Sequence, residues 1–210
     1  MALFLTILTI FVILLGSELY WRKHVVNDEF SRKFVHITVG SFVAFWPLFL
    51  SWGEIQLLSV AFFLVVGASK YLHVFTAIHS VQRPTYGELF FALAVGGITL
   101  ITHDPWIYMV ALLQMSLADG MAAIVGVRYG KTTQYHIAGQ VKSVAGTAAF
   151  FVVSMLILIG YSLLAPGQRF KLVYVAIALA ATFIENIGVQ GTDNVAVPFV
   201  VALALDVFAN

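Results

Sequence analysis

The run PWIYMVALLQMSLADGMAAIVGV, residues 105–127, contains one charged side chain, Asp119. As a helix it would rise about 34 Å, enough to cross the ~30 Å hydrocarbon core of a bilayer. Similar apolar runs lie on either side of it, at 2–20, 36–52, 55–72, 87–102, 146–165, 171–188 and 195–208. Pro47 breaks the second run, and the last is short, so the count of spans is seven or eight. The expected fold class is therefore all-α: a polytopic transmembrane helical bundle, with residues 1–210 forming a single integral membrane domain. The composition agrees. The chain is 61% hydrophobic and only 10% charged, and its mean hydropathy is +0.97. A soluble domain carries about 25% charge.

The N-terminal run, MALFLTILTIFVILLGSELY, has no basic residues before it and no small-residue cleavage site, so it reads as a retained first helix rather than a signal peptide. Basic residues in short loops set the orientation. Arg22, Lys23, Arg32, Lys33, Lys70, Arg83, Arg128, Lys131 and Lys142 fall on one side, and only Arg169 and Lys171 on the other. The N-terminus is thus expected outside and the polar loops in the cytoplasm. The basic residues are too few and too scattered for a nucleic-acid partner. The absence of cysteine excludes disulfides and thiol nucleophiles. A small-solute transporter, the reading from another functional class, predicts broken helices near the midplane, and no such pair is visible. A homo-oligomer is left open.

Three polar constellations fall on the cytoplasmic side. The first is LADGMAAIVGVRYGKTTQYHIAGQVKSVAGTAAFF, residues 117–151. An ionised carboxylate inside an apolar helix costs about 3 kcal/mol or more, so Asp119 needs a partner or a task. GVRYGKT, at 126–132, is one residue short of the P-loop spacing and follows a helix, so no P-loop fold is expected. Its pieces still suit phosphate: Gly126 and Gly130 let backbone approach closely, and Arg128 and Lys131 bring charge. Lys142 and Ser143 precede Gly146 and Thr147 at the start of the next helix, where free N–H groups and the helix dipole attract anions. The second constellation is FIENIGVQGTDNVAVPF, residues 183–199, where Glu185, Asp193 and Asn194 have no basic neighbour in their own loop. Acids facing a phosphate site need a divalent cation between them, and Mg²⁺ takes one or two carboxylates together with substrate phosphates. The third is SRKFVHI, residues 31–37, where Arg32 and His36 stand four apart and so share one face if a helix starts here.

Together these pieces resemble the CTP-dependent lipid kinases: dolichol kinase, phytol kinase and the yeast-type diacylglycerol kinase. More distantly they resemble phosphatidate cytidylyltransferase. The matching stretches are RKFVH at 32–36, ADGMAAIVGVRYGK at 118–131, KSVAGTAAFF at 142–151 and ENIGVQGTDNVAVP at 185–198. The resemblance implies transfer of the γ-phosphate of CTP to an isoprenoid alcohol or diacylglycerol, with residues 128–146 as the nucleotide-binding loop. It assigns a CTP site to Asp119, Ala122, Gly126, Gly130, Lys142, Ser143, Gly146 and Thr147, and a further role to Asp193 and Asn194. Arg128, Lys131, Arg32 and Lys33 would add phosphate contacts. Asp119, Asp193, Glu185 and Asn194 would hold Mg²⁺, and His36 or one of the acids would serve as base. Where dolichol kinases often carry Glu before the Gly-Thr pair this chain has Ala145, which leans toward the phytol- or diacylglycerol-type branch. A cytidylyltransferase making a CDP-lipid is the alternative. It would need extra cations for a second anionic substrate.

Overall fold

The computed structural model describes residues 1–23, 28–72 and 86–208. Among them the chain is almost wholly helical: α1 (Ala2–Lys23), α2 (Asp28–Ala44), α3 (Trp52–Leu72), α4 (Gly87–Ile101), α5 (Pro105–Leu113), α6 (Asp119–Tyr129), α7 (Val144–Leu164), α8 (Val173–Ile187) and α9 (Asp193–Phe208). The second helix differs from the expected 36–52. It starts at Asp28 and stops at Ala44, because Pro47 fixes a 3₁₀ turn, Trp46–Leu48, and its ring disfavours helix in the residue before it.

The 105–127 run starts where Asp104 caps α5, accepting from the N–H groups of Trp106 at 2.7 Å and Ile107 at 3.3 Å, with Pro105 in the first turn. α5 and α6 are two halves of one rod, Pro105–Tyr129, joined by a π turn at Gln114–Ala118. This rod is the axis of the fold. Ile107 through Leu112 are all buried, which an all-apolar helix achieves only when neighbours surround it. α2, α7 and α9 pack around it, while α3 pairs with α4 and α8 with both α7 and α9.

The loop after α6 is not wholly irregular. Residues 134–143 form an antiparallel hairpin, β1 (Gln134–Ile137) and β2 (Gln140–Ser143), with Tyr135 opposite Lys142. Ala138 and Gly139 both take positive φ, 50° and 74°, the type I′ pattern that suits the twist of a two-residue hairpin.

Among the described residues two helices, Pro105–Tyr129 and Val144–Leu164, are long and apolar enough to cross a membrane. Shorter apolar helices lie at Ala2–Ser17, Lys33–Leu48, Trp52–Ala68, Gly87–Ile101 and Val173–Ile187. Large aliphatic side chains also face outward. Leu100 is 79% exposed and Leu163 77%, a surface that a soluble bundle would bury.

Candidate functional site

The site begins at a backbone irregularity. In the π turn the Asp119 N–H reaches back five residues to Gln114 O, rather than four to Met115 O. The Met115 carbonyl instead accepts from His36 Nε2 at 3.1 Å, which fixes the ring tautomer with hydrogen on Nε2. The same Nε2 lies 3.6 Å from Asp119 Oδ2, and Lys33 Nζ donates to that oxygen at 2.6 Å. π turns recur at functional sites because they re-aim groups that a regular helix would tie up.

Close packing holds these groups together. A Cβ added to Gly120 would fall 2.1 Å from Ile37 Cγ1, and one on Gly40 would fall 2.4 Å from Ser116 Cβ. Two missing side chains thus let α2 lie against the α5–α6 rod, with Lys33 and His36 directed at Asp119.

A second cluster sits beside the first. Lys142 Nζ pairs with Glu185 Oε1 at 2.5 Å and donates to Glu185 O at 3.1 Å. Its cross-strand neighbour Tyr135 points the same way, as facing residues in a hairpin do. The Tyr135 hydroxyl donates to Asn186 Oδ1 at 2.6 Å and meets Thr147 Oγ1, and Thr147 also donates to Asn186 Oδ1, at 3.0 Å. Gln140 Nε2 donates to Gly188 O at 2.7 Å. The hairpin is therefore stitched to the end of α8 by three side chains that sequence reasoning missed, Tyr135, Gln140 and Asn186. The Ala-Gly pair at 138–139, flanked by alternating residues, was the signal available for the hairpin.

Gly126, Gly130 and Gly146 lie where α6 crosses α7. A Cβ on Gly130 would overlap Ser143 Oγ and Gly126 O, and one on Gly146 would come within 2.9 Å of Ala122 O. Ser143 caps α7 by accepting from Gly146 N–H at 3.1 Å. Arg128 and Lys131 are exposed, and the Arg128 guanidinium lies 5.5 Å from the centroid of the Tyr129 ring. The side chain of Arg32 lies outside the described residues, as do those of Lys70 and Arg83.

The third element is the turn into α9. Gln190 and Gly191 take positive φ, Tyr86 N–H donates to Gln190 O at 3.1 Å, and Asn194 Nδ2 donates to Gly87 O at 3.1 Å. Pro198, inside α9, has no N–H to give Asn194 O, so that carbonyl cannot receive the helical bond from four residues on.

The charges of the three elements act on one another. Burial disfavours the charged form of Lys142, but Glu185, Asp193 and Asp119 outweigh it and hold the ammonium above the ordinary lysine range. Asp193, just ahead of the apolar part of α9, is pushed up by burial and by the negative charge of Asp119, against the opposing pull of Lys33 and Lys142. Three acids thus stand with two lysines and a histidine in one partly buried patch.

Among the described residues no group of three His, Cys, Asp or Glu side chains is placed to hold a metal ion by itself. Asp119 and Asp193 come from separate elements and repel each other. That suits a cation taking two carboxylates and filling its remaining positions from phosphate and water. Asn194 retains its side-chain Oδ1 as an acceptor, and Glu185 is spoken for by Lys142.

The chain is 32% identical to the phytol kinase of Synechocystis sp. over 91% of its own length and 84% of that protein's. It is 29% identical to phytol kinase 1, chloroplastic, of Arabidopsis thaliana, over 92% of this chain and 71% of the other. To the probable phytol kinase, chloroplastic, of Triticum aestivum it is 32% identical, over 90% and 71%. No protein-family model matches the chain, and no solved structure matches it.

Proposed function

The chain belongs to the phytol kinase family, and on that footing we propose that it is a membrane-embedded kinase that transfers the γ-phosphate of CTP to an isoprenoid lipid alcohol. The bundle spans the bilayer seven or eight times, with its N-terminus outside and the polar patch at the cytoplasmic face. The observation that carries the reading is Asp119: a carboxylate set by a π turn in the central apolar rod, paired with Lys33 and within electrostatic reach of Lys142 and Asp193.

Phosphoryl transfer asks the protein mainly to position reactants and neutralise charge. Lys33 and Lys142 are each held by a carboxylate, Asp119 and Glu185. Phosphate oxygens of a bound nucleotide would compete with these carboxylates for both lysines, and Asp119 and Asp193 are the residues that would hold a divalent cation. When bound, Mg²⁺ neutralises charge on the phosphate oxygens. Gly126, Gly130, Ser143, Gly146 and Thr147 shape the close α6–α7 crossing beside the phosphates, and Arg128 and Lys131 attract the nucleotide from the rim. The lipid hydroxyl oxygen forms a bond to the γ-phosphorus as the bridging bond to the β-phosphate breaks. CDP leaves with the electron pair, and the hydroxyl proton passes to a base. His36, which donates through Nε2 to Met115 O, is one candidate for that base; a neighbouring acid is the other.

The test follows label from CTP carrying it at either the α- or the γ-phosphate, with purified protein, Mg²⁺ and a panel of phytol, dolichol and diacylglycerol. A kinase moves the γ-label, and none of the α-label, into lipid. Entry of α-label into a CDP-lipid when phosphatidate is supplied would instead make the chain a cytidylyltransferase.

A further inference from the structure

α1 and α2 do not close on one another along their whole length. Between them lies an apolar groove of 430 Å³, within the ~300–1,000 Å³ typical of small-ligand pockets. Ile13, Gly16 and Ser17 line it from α1, and Phe30, Phe34 and Thr38 from α2. Two of its hydroxyls are turned away from any guest: Ser17 donates to Ile13 O at 2.7 Å and Thr38 to Phe34 O at 2.9 Å, each along its own helix. Apart from Tyr20, the last of the α1 residues along it, the lining that remains is hydrocarbon. Gly16 faces this open space, and a Cβ built there meets nothing within 4 Å, so a large side chain at this position would fill the groove.

α2 is shared between this groove and the charged patch. Lys33 and His36 face Asp119 from one flank. Phe30, Phe34 and Thr38, spaced by four residues, form the next stripe, roughly a third of a turn round the helix and at the same height. A chain lying in the groove therefore runs at the height of the groups that handle phosphate, one face of α2 away from them.

We propose that the groove between α1 and α2 holds the hydroxyl-proximal half of the hydrocarbon chain of the lipid alcohol, delivering its hydroxyl round the edge of α2 to Lys33, His36 and Asp119. This deepens the kinase reading and rests on it. The occupant is a single acyclic chain. The lining on α1 runs over residues 12–20, about 12 Å of helix, which matches the first ten or so carbons of an extended chain and leaves the rest in the bilayer.

The test pairs Gly16→Phe with photolabelling of the full chain in vesicles. With phytol and CTP, Gly16→Phe raises KM for phytol about tenfold and leaves KM for CTP unchanged, which also reports an intact fold. A phytol analogue with a diazirine near the hydroxyl labels peptides of α1 and α2 in the wild type. Excess phytol competes the label, excess phospholipid does not, and Gly16→Phe loses it. An unchanged KM for phytol overturns the proposal, as does label on other helices or label displaced equally by phospholipid. Wild-type turnover tests the kinase reading separately: a chain that phosphorylates no alcohol sinks that reading, and the position of the label still decides the groove.

Discussion

Lys142 and Glu185 are a closely enclosed pair: Glu185 keeps only 7% of its side chain exposed and Lys142 19%. Removing one partner strands the other charge, at a cost of about 3 kcal/mol for a pair this enclosed. Glu185→Gln should therefore lower the thermal midpoint more than Glu185→Gln combined with Lys142→Met does, measured by thermal unfolding in detergent. The pH dependence of the pair follows from its sign. Its carboxylates hold Lys142 above 10.5, so its contribution to stability is fully present below that value and fades only as pH rises through the raised one. The difference in midpoint between wild type and the double variant Glu185→Gln with Lys142→Met, which strands neither charge, should stay constant from about pH 7 to about pH 9; a steady fall across that window would contradict the assignment. Asp119 was legible in the sequence, since one acid in a crossing-length apolar run must be matched by something. Its partner was less so: Lys33 is a flanking cation by position, and only the packing of α2 on the rod makes it the counter-charge.

The crossing of α2 over the α5–α6 rod sets the distance between Asp119 and its partners, and Gly120 sets the crossing. Gly120→Ala puts a methyl into Ile37 Cγ1, and the stiff χ1 of a β-branched residue in a helix resists moving it aside, so α2 shifts. The expected result is a fall in kcat of about tenfold or more, since displacements near 1 Å degrade positioned chemistry. Ile37→Ala in the same chain should restore much of it. A double variant as slow as Gly120→Ala alone would show that the crossing does not set the site. The glycine pattern 126–130–146 was visible in the sequence as a phosphate motif, yet in the fold it first brings α6 onto α7 and lets Ser143 cap the next helix. Pattern alone does not separate these uses, because close approach of a helix and of a phosphate both demand a missing Cβ. The hairpin at 134–143 was hidden by its brevity. Four-residue strands carry two alternations at most, and Ala138 at positive φ is an unusual turn residue.

For the whole molecule, helical class was legible throughout, because long apolar runs with few charges leave their backbone groups to be satisfied within the segment. Which runs reach full crossing length was not, since boundaries depend on caps and on turns such as Trp46–Leu48. The orientation can be checked cleanly because the chain has no cysteine. Thr132→Cys should react with an impermeant maleimide in inverted vesicles but not in intact cells, and Arg169→Cys the other way round; the opposite pattern would invert the bundle. The central claim is that the patch around Asp119 transfers phosphate from CTP to an isoprenoid alcohol. Its most direct test is phytyl phosphate formation from γ-labelled CTP by purified wild type and by Asp119→Asn, with thermal midpoints recorded for both. Labelled phytyl phosphate from the wild type, and a rate at least about a hundredfold lower from a folded Asp119→Asn, is the predicted result. Equal rates from the two chains, or no labelled lipid from a folded wild type, would contradict the account.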